Sequence, residues 1–470
     1  MCGIIGVSGV PDAARQVYLG LYSLQHRGQE SAGVVAVDSA GAARSHRGMG
    51  LVSDIFSEQV MAGLPGDVAI GHTRYSTAGT SVLANAQPML AGYREGPLGL
   101  AHNGNLTNAV QLRSDLVAKG SIFQTSSDSE VLVHLIARSE AREPEDQLLD
   151  ALERVDGAYS LVLTIGRTMY AIVDPRGFRP LVLGRLGTGW VVASETCALD
   201  ILGATLVREL EPGNVLRVQD GDLDELPPLP SRPHHRCIFE LVYFSRPDST
   251  VFHHSVDRVR RELGRQLARE HPAPAADCVF SVPDSSNAMA LGFSEVSGLK
   301  LEHALIRNHY VGRTFIQPVQ AGRTAKVKIK FNPVREVLEG KKVVVVDDSI
   351  VRGTTSRALV QLIRQAGAKE VHFRVGSPPI TGPCYYGIDT PSKNELIGAN
   401  KSVEEIRQHL GVDSLGYLSL DGMLRAAGGD PGQEAGGFCH ACFSGSYPTE
   451  IPGDLAGARH AAPLLAALPS

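Results

Sequence analysis

The first half of the chain alternates short apolar runs with glycine-rich turns. Eight runs have the length and composition of β-strands, at residues 3–7, 33–37, 68–72, 98–102, 159–165, 169–173, 190–193 and 215–218. Two stretches, 13–25 and 128–138, show helical periodicity instead, and Ser126, Ser127 and Asp128 are capping candidates for the second. The pattern up to about residue 220 predicts a largely antiparallel β domain whose sheets are covered by helices.

A proline-rich segment separates this pattern from a different one. Residues 225–235, ELPPLPSRPHH, carry four prolines in eleven residues and neither helical nor alternating periodicity, which indicates a domain junction. Beyond it, apolar strands at 277–282, 342–346 and 370–375 alternate with a helix at 354–365. That alternation predicts an α/β domain with a parallel sheet built of βαβ units.

These patterns place the domains at 2–230 and 231–455, followed by a frayed tail at 456–470. A chain of 470 residues, 43% hydrophobic and 20% charged, has ample core for two or three globular domains. Its formal net charge of -5 provides no basic field for a nucleic acid. No apolar run approaches the roughly 20 residues that span a bilayer, and the start of the chain lacks the features of a signal peptide. We therefore expect a cytoplasmic protein that binds neither nucleic acid nor membrane.

Cys2 directly follows the initiator methionine, whose removal would leave a thiol and a free α-amine on one residue. An α-amine with a pKa of about 7.7–8.0 is a suitable proton acceptor for a thiol near about 8.5. Other segments offer what amide hydrolysis needs. Arg74 suits a substrate carboxylate, Asn103 and Gly104 suit an oxyanion, and Asp128 suits an ammonium group. Taken singly, these residues are equally typical of a buried thiol, a surface ion pair, a turn and a helix cap.

The joint pattern resembles the class II glutamine amidotransferases, which are N-terminal-nucleophile hydrolases with an αββα sandwich. The matching motifs are CGIIGV at 2–7, LQHRGQESAG at 24–33, GHTRYSTAG at 71–79, NAQP at 85–88, HNGNLTN at 102–108 and DSE at 128–130. The resemblance implies that Cys2 attacks the glutamine side-chain amide while Asn103 and Gly104 hold the oxyanion. It also implies that Arg74 and Asp128 bind the backbone groups of glutamine. The released ammonia then needs an acceptor.

A second motif follows the predicted strand at 342–346. The acidic pair Asp347 and Asp348 ends the strand, and a turn leads into a helix through Ser349, Ile350, Val351, Arg352, Gly353, Thr354 and Thr355. Ligands of open α/β sheets bind at this edge, and backbone N–H groups at a helix start cradle an anion. Because like charges repel, the two carboxylates suit hydroxyl groups or Mg²⁺ rather than a phosphate. A solvated helix cap is the plainer alternative.

This loop resembles the phosphoribosyl pyrophosphate signature of the type I phosphoribosyltransferases. In that family the acidic pair holds the ribose hydroxyls and the turn holds the 5-phosphate. VPDSS at 282–286 matches a second family site, which implies that Ser285 joins the two acids around Mg²⁺. A basic region at 307–330 is expected to hold the leaving pyrophosphate. It departs from the family at His309, where arginine is usual, and in its lysine-rich end.

The order of the two halves, with CIFELVYFSRPDS at 237–249 and VGRTFIQP at 311–318, resembles the glutamine-dependent enzymes that begin purine synthesis. The resemblance implies that glutamine and phosphoribosyl pyrophosphate are the substrates. Ammonia made at Cys2 would cross an internal channel, displace pyrophosphate from the ribose and give 5-phosphoribosylamine. It further implies feedback inhibition by purine nucleotides and a homo-oligomer, either dimer or tetramer.

The chain has seven cysteines, an odd and scattered set that argues for reduced thiols rather than a disulfide framework. Cys439 and Cys442 form a CxxC pair, which needs two more ligands to close a tetrahedral site; Cys237 and Cys384 are the candidates, although spacings of this width are not a local motif. From the residues alone, zinc, an iron–sulfur cluster and plain buried thiols remain open. A subset of the enzymes that the chain resembles carries a [4Fe–4S] cluster on four cysteines at matching positions, which implies this cluster here.

Two alternatives keep part of this interpretation. A glutaminase could serve another acceptor, as in glucosamine-6-phosphate synthase or asparagine synthetase, but the loop at 347–355 disfavours both. A phosphoribosyltransferase fold could act as a regulatory binding protein without catalysis. A self-activating Cys2 with a full glutamine pocket disfavours a pure sensor.

Overall fold

The structure, a computed structural model, describes residues 1–75, 81–308, 330–390, 392–429 and 434–453. Two antiparallel sheets dominate its first half. The seven strands of the first sheet lie in the order Thr205–Glu209, Val182–Leu186, Gly189–Ala193, Gly3–Ser8, Val68–Arg74, Ser31–Val37 and Ala43–Met49. The six strands of the second lie in the order Asp222–Glu225, Val215–Gln219, Thr168–Val173, Gly157–Ile165, Gly96–Leu106 and Met89–Tyr93.

The two sheets pack face to face through alternating apolar side chains. Ile4 and Ile70 of the first sheet share a buried cluster with Val162 and Ala171 of the second. At Gly6 a Cβ atom would lie 2.5 Å from Val162 Cγ1, so this close approach of the sheets requires glycine.

Helices cover both outer faces. Ala13–Ser23 and Thr196–Leu202 pack on the first sheet, and Ala109–Ala118, Glu130–Arg138 and Pro144–Arg154 pack on the second. The αββα sandwich expected from the resemblance is therefore confirmed. Short helices at Gln25–Arg27, Val52–Ile55, Glu58–Ala62 and Leu83–Asn85 complete this half.

A five-stranded parallel sheet forms the core of the second half. Its strands lie in the order Lys300–Leu301, Cys278–Ser281, Lys342–Asp347, Glu370–Val375 and Ser414–Tyr417. One face packs against the helices Val256–Glu270, Asn287–Ser297 and Leu420–Ala426, and the other against Thr354–Gln365 and Val403–Leu410. The predicted parallel α/β fold is thus confirmed.

Smaller elements surround this sheet. The short helices are Glu240–Phe244, which is π-helical, Arg335–Leu338, Lys393–Glu395, Ile397–Asn400, Glu434–Gly437 and Ala441–Ser444. Three two-stranded sheets pair Arg236–Cys237 with Phe438–Cys439, Thr250–Val251 with His254–Ser255, and Leu305–Arg307 with Phe331–Pro333. None of the described helices combines the length and apolarity needed to cross a membrane.

The predicted capping of the helix at 128–138 is wrong. The helix begins at Glu130, and Ser129 precedes it without a capping hydrogen bond from its side chain to any described residue. The candidate side chains are engaged elsewhere: Asp128 Oδ2 accepts the N–H of Leu106 at 2.9 Å, and Ser126 Oγ accepts from Asn85 Nδ2 at 2.8 Å. Long-range partners therefore outcompete the local cap.

The two halves share a buried boundary. Tyr386 stacks on Phe178 at 4.3 Å between ring centroids, and Asn105 Nδ2 donates to the carbonyl of Tyr385 at 2.8 Å. Residues 226–235, at the expected junction, form neither helix nor strand. The domain limits 2–230 and 231–455 stay a prediction, and the tail predicted at 456–470 lies outside the described residues.

Candidate active site

Cys2 stands directly before the strand Gly3–Ser8 and is 6% exposed. Its backbone N–H donates to Asn103 Oδ1 at 3.1 Å, and its Sγ lies 3.7 Å from the carbonyl oxygen of Tyr75. Burial lowers the pKa of the neighbouring Met1 amino group to about 6, with smaller lowering contributions from Arg179 and Arg27. The Met1 amine is therefore mostly unprotonated at neutral pH.

Asn103 is fully buried within the long strand Gly96–Leu106. Because Oδ1 accepts from Cys2, its Nδ2 donor remains, and this atom has no hydrogen-bond partner among the described residues. The next residue, Gly104, has φ +156°, and a Cβ atom there would lie 1.9 Å from the carbonyl oxygen of Ala158. A buried unsatisfied donor beside a backbone that only glycine allows is what an oxyanion hole requires.

The two predicted glutamine-binding residues lie at the ends of neighbouring elements. Arg74 ends the strand Val68–Arg74, directly before Tyr75, and is 4% exposed. Asp128 accepts the N–H of Leu106, two residues beyond Gly104, so it lies beside the oxyanion strand. The structure therefore brings these two residues to the strand ends that also hold Cys2, Asn103 and Gly104.

Sequence reasoning missed a buried ion network behind Cys2. Arg27 Nε donates to the carbonyl of Cys2 at 2.9 Å, and its guanidinium pairs with Glu195 and Glu240. Arg27 lies within the motif LQHRGQESAG at 24–33, so the sequence already pointed to this residue. No local pattern marked the two glutamates: Glu195 directly precedes the helix Thr196–Leu202 and Glu240 begins the helix Glu240–Phe244, both far along the chain from Arg27.

The second site is a cavity of about 500 Å³ at the carboxyl ends of the parallel strands. Asp347 and Asp348 lie on its wall, where Asp348 Oδ2 accepts from Ser285 Oγ at 2.6 Å and Asp347 Oδ1 accepts from Ser286 Oγ at 3.3 Å. Burial raises the pKa of both carboxyls, and the charge of Asp348 adds to the rise for Asp347. Two buried acids of like charge favour a hydroxyl-rich or cationic ligand.

The turn after the acidic pair forms much of the cavity wall. Its lining residues are Ser349, Val351, Arg352, Gly353, Thr354 and Thr355. Gly353 has φ +73° and precedes the helix Thr354–Gln365, whose first N–H groups receive no side-chain cap from the described residues. Such uncapped N–H groups are suited to a phosphate.

In the predicted phosphate-binding turn at 349–355, two residues have side chains with contacts away from a cavity ligand. Ile350 is 2% exposed and packs into the apolar core, so only its backbone is available to a ligand. Arg352 lines the cavity, but its Nε also pairs with Glu395 Oε1 at 3.1 Å.

The basic region at 307–330 is described only at its ends. Arg307 pairs with Asp284, and Lys330 lines the cavity. His309 and residues 311–329, including most of the lysine-rich run, lie outside the described residues. Aromatic lining from Phe239, Tyr243 and Phe244 escaped sequence reasoning, since that segment has no periodicity that points to a site.

Ser285, Asp347 and Asp348 offer only oxygen donors, the set that Mg²⁺ prefers. Within the described ranges, however, no group of three or more His, Cys, Asp or Glu side chains is placed to hold a metal ion. The two carboxylates and the hydroxyl are of the type that binds Mg²⁺, but by themselves they would supply only part of its ligand shell.

Four cysteines share one buried cluster at the start and the end of the second half, although no three of these described thiols are placed to hold a metal ion. Cys237 and Cys439 are register partners in the small parallel sheet, and the carbonyl of Cys442 accepts from the N–H groups of Thr381 and Gly382, which precede Cys384. Burial raises the pKa of the Cys442 thiol, and the charges of Cys384, Cys237 and Cys439 raise it further. Four buried thiols are a soft donor set that fits an iron–sulfur cluster or zinc.

The remaining thiols, Cys197 and Cys278, are buried at separate places.

Tyr75 links the two sites. Its carbonyl lies 3.7 Å from Cys2 Sγ, and Tyr75 and Met1 both line the cavity that holds Asp347 and Asp348. The glutamine site and the phosphate cavity are therefore neighbours across the boundary of the two halves.

Comparison with known proteins agrees with this geometry. A family model described as "Glutamine amidotransferase domain" matches residues 72–200. The chain is 53% identical to "Amidophosphoribosyltransferase 2, chloroplastic" of Arabidopsis thaliana, over 96% of this chain and 79% of that protein. It is 49% identical to "Amidophosphoribosyltransferase" of Bacillus subtilis, over 96% of this chain and 94% of the relative.

Two solved structures are similar over almost the whole chain. One is described as the allosteric regulatory enzyme of purine biosynthesis, with a TM-score of 0.92 and 48% identity over 97% of both chains. The other is glutamine phosphoribosylpyrophosphate amidotransferase from B. subtilis complexed with ADP and GMP. It has a TM-score of 0.91 and 48% identity, over 96% of this chain and 98% of that one.

Proposed function

The chain belongs to the amidophosphoribosyltransferase family, and we propose that it moves the amide nitrogen of glutamine to phosphoribosyl pyrophosphate within one molecule. The products are 5-phosphoribosylamine, glutamate and pyrophosphate, in the first step of purine biosynthesis. The observation that carries this proposal is the position of Tyr75, which contacts Cys2 and lines the phosphate cavity. Ammonia released at one site then has a short path to the other.

Hydrolysis begins after removal of Met1. The α-amine of Cys2 takes the thiol proton, and Sγ attacks the side-chain carbonyl carbon of glutamine. Asn103 Nδ2 and the N–H of Gly104 donate to the oxyanion, a role supported by the unsatisfied buried donor of Asn103. The C–N bond breaks as ammonia leaves with the proton from the amine, and water then hydrolyses the thioester to glutamate.

Arg74 and Asp128 orient glutamine for this attack. The guanidinium of Arg74 binds the α-carboxylate, and the carboxylate of Asp128 binds the α-ammonium group. Support comes from the position of Arg74 at the end of the strand that pairs with the strand after Cys2, and from the hydrogen bond that joins Asp128 to Leu106 at the end of the strand that holds Asn103.

In the cavity, ammonia attacks the anomeric carbon of the ribose. Its lone pair forms the new C–N bond, the C–O bond to pyrophosphate breaks, and pyrophosphate departs with the electron pair. The product amine then loses a proton. The turn at 349–355 holds the 5-phosphate, while Asp347 and Asp348 bind the ribose hydroxyls. When bound by Ser285, Asp347 and Asp348, Mg²⁺ would neutralise charge on the pyrophosphate.

We also propose a [4Fe–4S] cluster on Cys237, Cys384, Cys439 and Cys442. The donor set supports it, since burial and the charges of Cys384, Cys237 and Cys439 raise the pKa of the Cys442 thiol and a cationic cluster would offset that cost. The cluster would join the beginning of the second half to its end. Its role is structural, so loss of the cluster through oxygen lowers stability rather than stopping chemistry directly.

Purine nucleotides are proposed as inhibitors, in line with the ADP and GMP of the B. subtilis structure. A cytoplasmic location and a dimer or tetramer stay predictions.

The test is to mix the protein with glutamine, phosphoribosyl pyrophosphate and Mg²⁺ and to measure glutamate and pyrophosphate together. We expect equal amounts of both products. Glutamate without pyrophosphate would point to another acceptor. A separate measurement of the intact mass should show that Met1 is absent from active protein. Fully active protein that retains Met1 would contradict the proposed role of the α-amine.

A further inference from the structure

Glu130 is a buried carboxylate that neither of the two reactions derived above uses. It begins the helix Glu130–Arg138, two residues beyond Asp128, and is 7% exposed. Its Oε1 accepts the N–H of Gln124 at 2.7 Å, and its Oε2 accepts the N–H and the hydroxyl of Thr125 at 2.8 and 2.7 Å. The carboxylate therefore binds the loop at 124–127, which leads directly into Asp128.

Arg113 holds the same loop from another helix. It lies on Ala109–Ala118, and its guanidinium donates from Nη1 to the carbonyl of Thr125 and from Nη2 to the carbonyl of Ser127, both at 2.9 Å. The same Nη2 lies 3.9 Å from Glu130 Oε2, so the two side chains form an ion pair. Two helices thus fix the loop through one pair of opposite charges.

Glu130 stays charged despite its burial. Burial by itself would raise the pKa of this carboxyl, but His134, whose Nε2 lies 3.8 Å from Oε1, and the hydrogen bonds from Gln124 and Thr125 outweigh burial and lower it. The carboxylate is therefore ionised at neutral pH. A neutral side chain of the same shape would lose the attraction to Arg113 and weaken the hydrogen bonds from the loop.

The loop ends at Asp128, whose carboxylate is oriented on both oxygens. Oδ2 accepts the N–H of Leu106 at 2.9 Å, and Oδ1 lies 3.4 Å from Ser129 Oγ and 3.5 Å from Ser127 Oγ. Arg113 holds the carbonyl of Ser127, which directly precedes Asp128. The place of the Asp128 carboxylate therefore depends on the ion pair that fixes the loop.

We propose that Glu130 is a positioning residue that sets the affinity of the glutamine site for the α-ammonium group. Glu130 does not bind the substrate itself but acts through the loop at 124–127 on Asp128. It thereby favours α-amino acids among compounds that carry a side-chain amide. This inference rests on the proposed function, in which Asp128 binds the ammonium group.

The central variant is Glu130→Gln, which keeps the shape of the side chain and removes its charge. Steady-state hydrolysis of glutamine gives kcat and KM, and synthesis from ammonium salts is measured separately. We expect KM for glutamine to rise about tenfold, since a hydrogen bond to a charged group contributes about that much, with kcat within about twofold. Synthesis from ammonia should persist, because the loop is not part of the described lining of the phosphate cavity.

A double-mutant cycle tests whether Glu130 acts through Asp128. Asp128→Asn is measured alone and together with Glu130→Gln. If Asp128 is the only route, KM of the double variant should stay within about twofold of that of Asp128→Asn, because the group that Glu130 positions is already lost. Two independent effects would multiply instead. The comparison holds even if Glu130→Gln lowers the melting temperature.

Glu145→Gln is the matched control. Glu145 lies on the next helix, Pro144–Arg154, where its Oε1 accepts from the hydroxyl of Tyr170 at 3.0 Å and pairs with Arg217 at 3.2 Å. These partners lie on strands rather than on the loop, so KM and kcat should both stay within about twofold.

A second variant, Thr125→Val, keeps the helix start intact if Glu130→Gln fails to fold. It removes the hydroxyl that donates to Glu130 and keeps the shape of the side chain. We expect KM for glutamine to rise about threefold, as suits the loss of a single hydrogen bond, with kcat unchanged within about twofold.

Three results would overturn the inference. One is an unchanged KM for glutamine in Glu130→Gln and Thr125→Val, and another is a double variant in which the two effects on KM multiply. The third is a parallel loss of glutamine-dependent and ammonia-dependent synthesis with a lowered melting temperature, which indicates a structural role alone. An unaltered protein that fails to hydrolyse glutamine, or an unchanged KM in Asp128→Asn, would instead reject the proposed function.

Discussion

The glutamine site around Cys2 and the phosphate cavity around Asp347 hold buried charge in different ways. Behind Cys2, the charge of Arg27 is matched by Glu195 and Glu240. In the cavity, Asp347 and Asp348 lie side by side with like charge, and the pKa of each carboxyl is raised. The first site is thus organised before its substrate arrives, whereas the second is completed by a ligand.

The largest expected effect separates the two sites directly. Cys2→Ala removes the nucleophile, so glutamine-dependent synthesis should fall by about 10⁴-fold or more, the loss typical of removing a catalytic nucleophile. Synthesis from ammonium salts should persist, because the cavity is untouched. Both rates are read from pyrophosphate release, and loss of both would mean that the sites are not separable.

The variant Asn103→Ala tests the proposed oxyanion donor of the glutamine site. Removal of one oxyanion donor typically costs about 10²–10³ in kcat, and KM for glutamine should change little because Arg74 and Asp128 remain. Glutamate release at saturating glutamine measures the effect. A change confined to KM would contradict the assignment of Asn103 Nδ2 to the oxyanion.

Asp348→Asn probes the second site. The variant loses a group proposed to bind ribose hydroxyls and Mg²⁺, so glutamine-dependent and ammonia-dependent synthesis should fall together, by about 100-fold. Hydrolysis of glutamine without phosphoribosyl pyrophosphate should stay within about twofold of the unaltered rate. If glutamine-dependent and ammonia-dependent synthesis fell by different amounts, Asp348 would not act on the phosphate cavity alone, which would contradict the distinction between the two sites.

The cysteine group makes a smaller prediction about stability. Protein purified without oxygen should contain four irons per chain for a [4Fe–4S] cluster, and Cys442→Ser should lose them and melt about 5 °C lower or more. The control is Cys278→Ser, at a buried thiol in a strand, which should keep its iron. Equal melting temperatures of aerobic and anaerobic protein would contradict the structural role.

The smallest effect is a pH dependence of the ligand-free protein. A carboxyl whose folded-state pKa is raised stabilises the fold fully below its ordinary value of 3.8, and this stabilisation is lost as pH rises through the raised pKa. Asp347→Asn removes the penalty, so the variant should melt higher than the unaltered protein at neutral pH and lose that advantage toward pH 4. A variant that melts lower at neutral pH would contradict the like-charge interpretation.

Much of the fold followed from local patterns. Apolar runs between glycine-rich turns predicted strands such as Gly157–Ile165 to within two residues, because a short continuous apolar run bounded by turn residues is typical of a strand that is buried on both faces. The strand Ala43–Met49 was missed, since its polar sequence lies at an exposed sheet edge where burial imposes no pattern. The helix start at Glu130 was misjudged because distant partners claim the candidate caps.

The sequence by itself determined the chemistry: a cysteine at the second position, an amide next to glycine, and an acidic pair before a phosphate loop. These are short-range features, and the residue types alone restrict what they can do. Only the tertiary structure decided that the Asn103 donor has no partner among the described residues, that Ile350 turns into the core, and that Tyr75 joins the two sites. Each depends on packing between segments far apart in the chain, and such contacts leave no periodic trace in either segment.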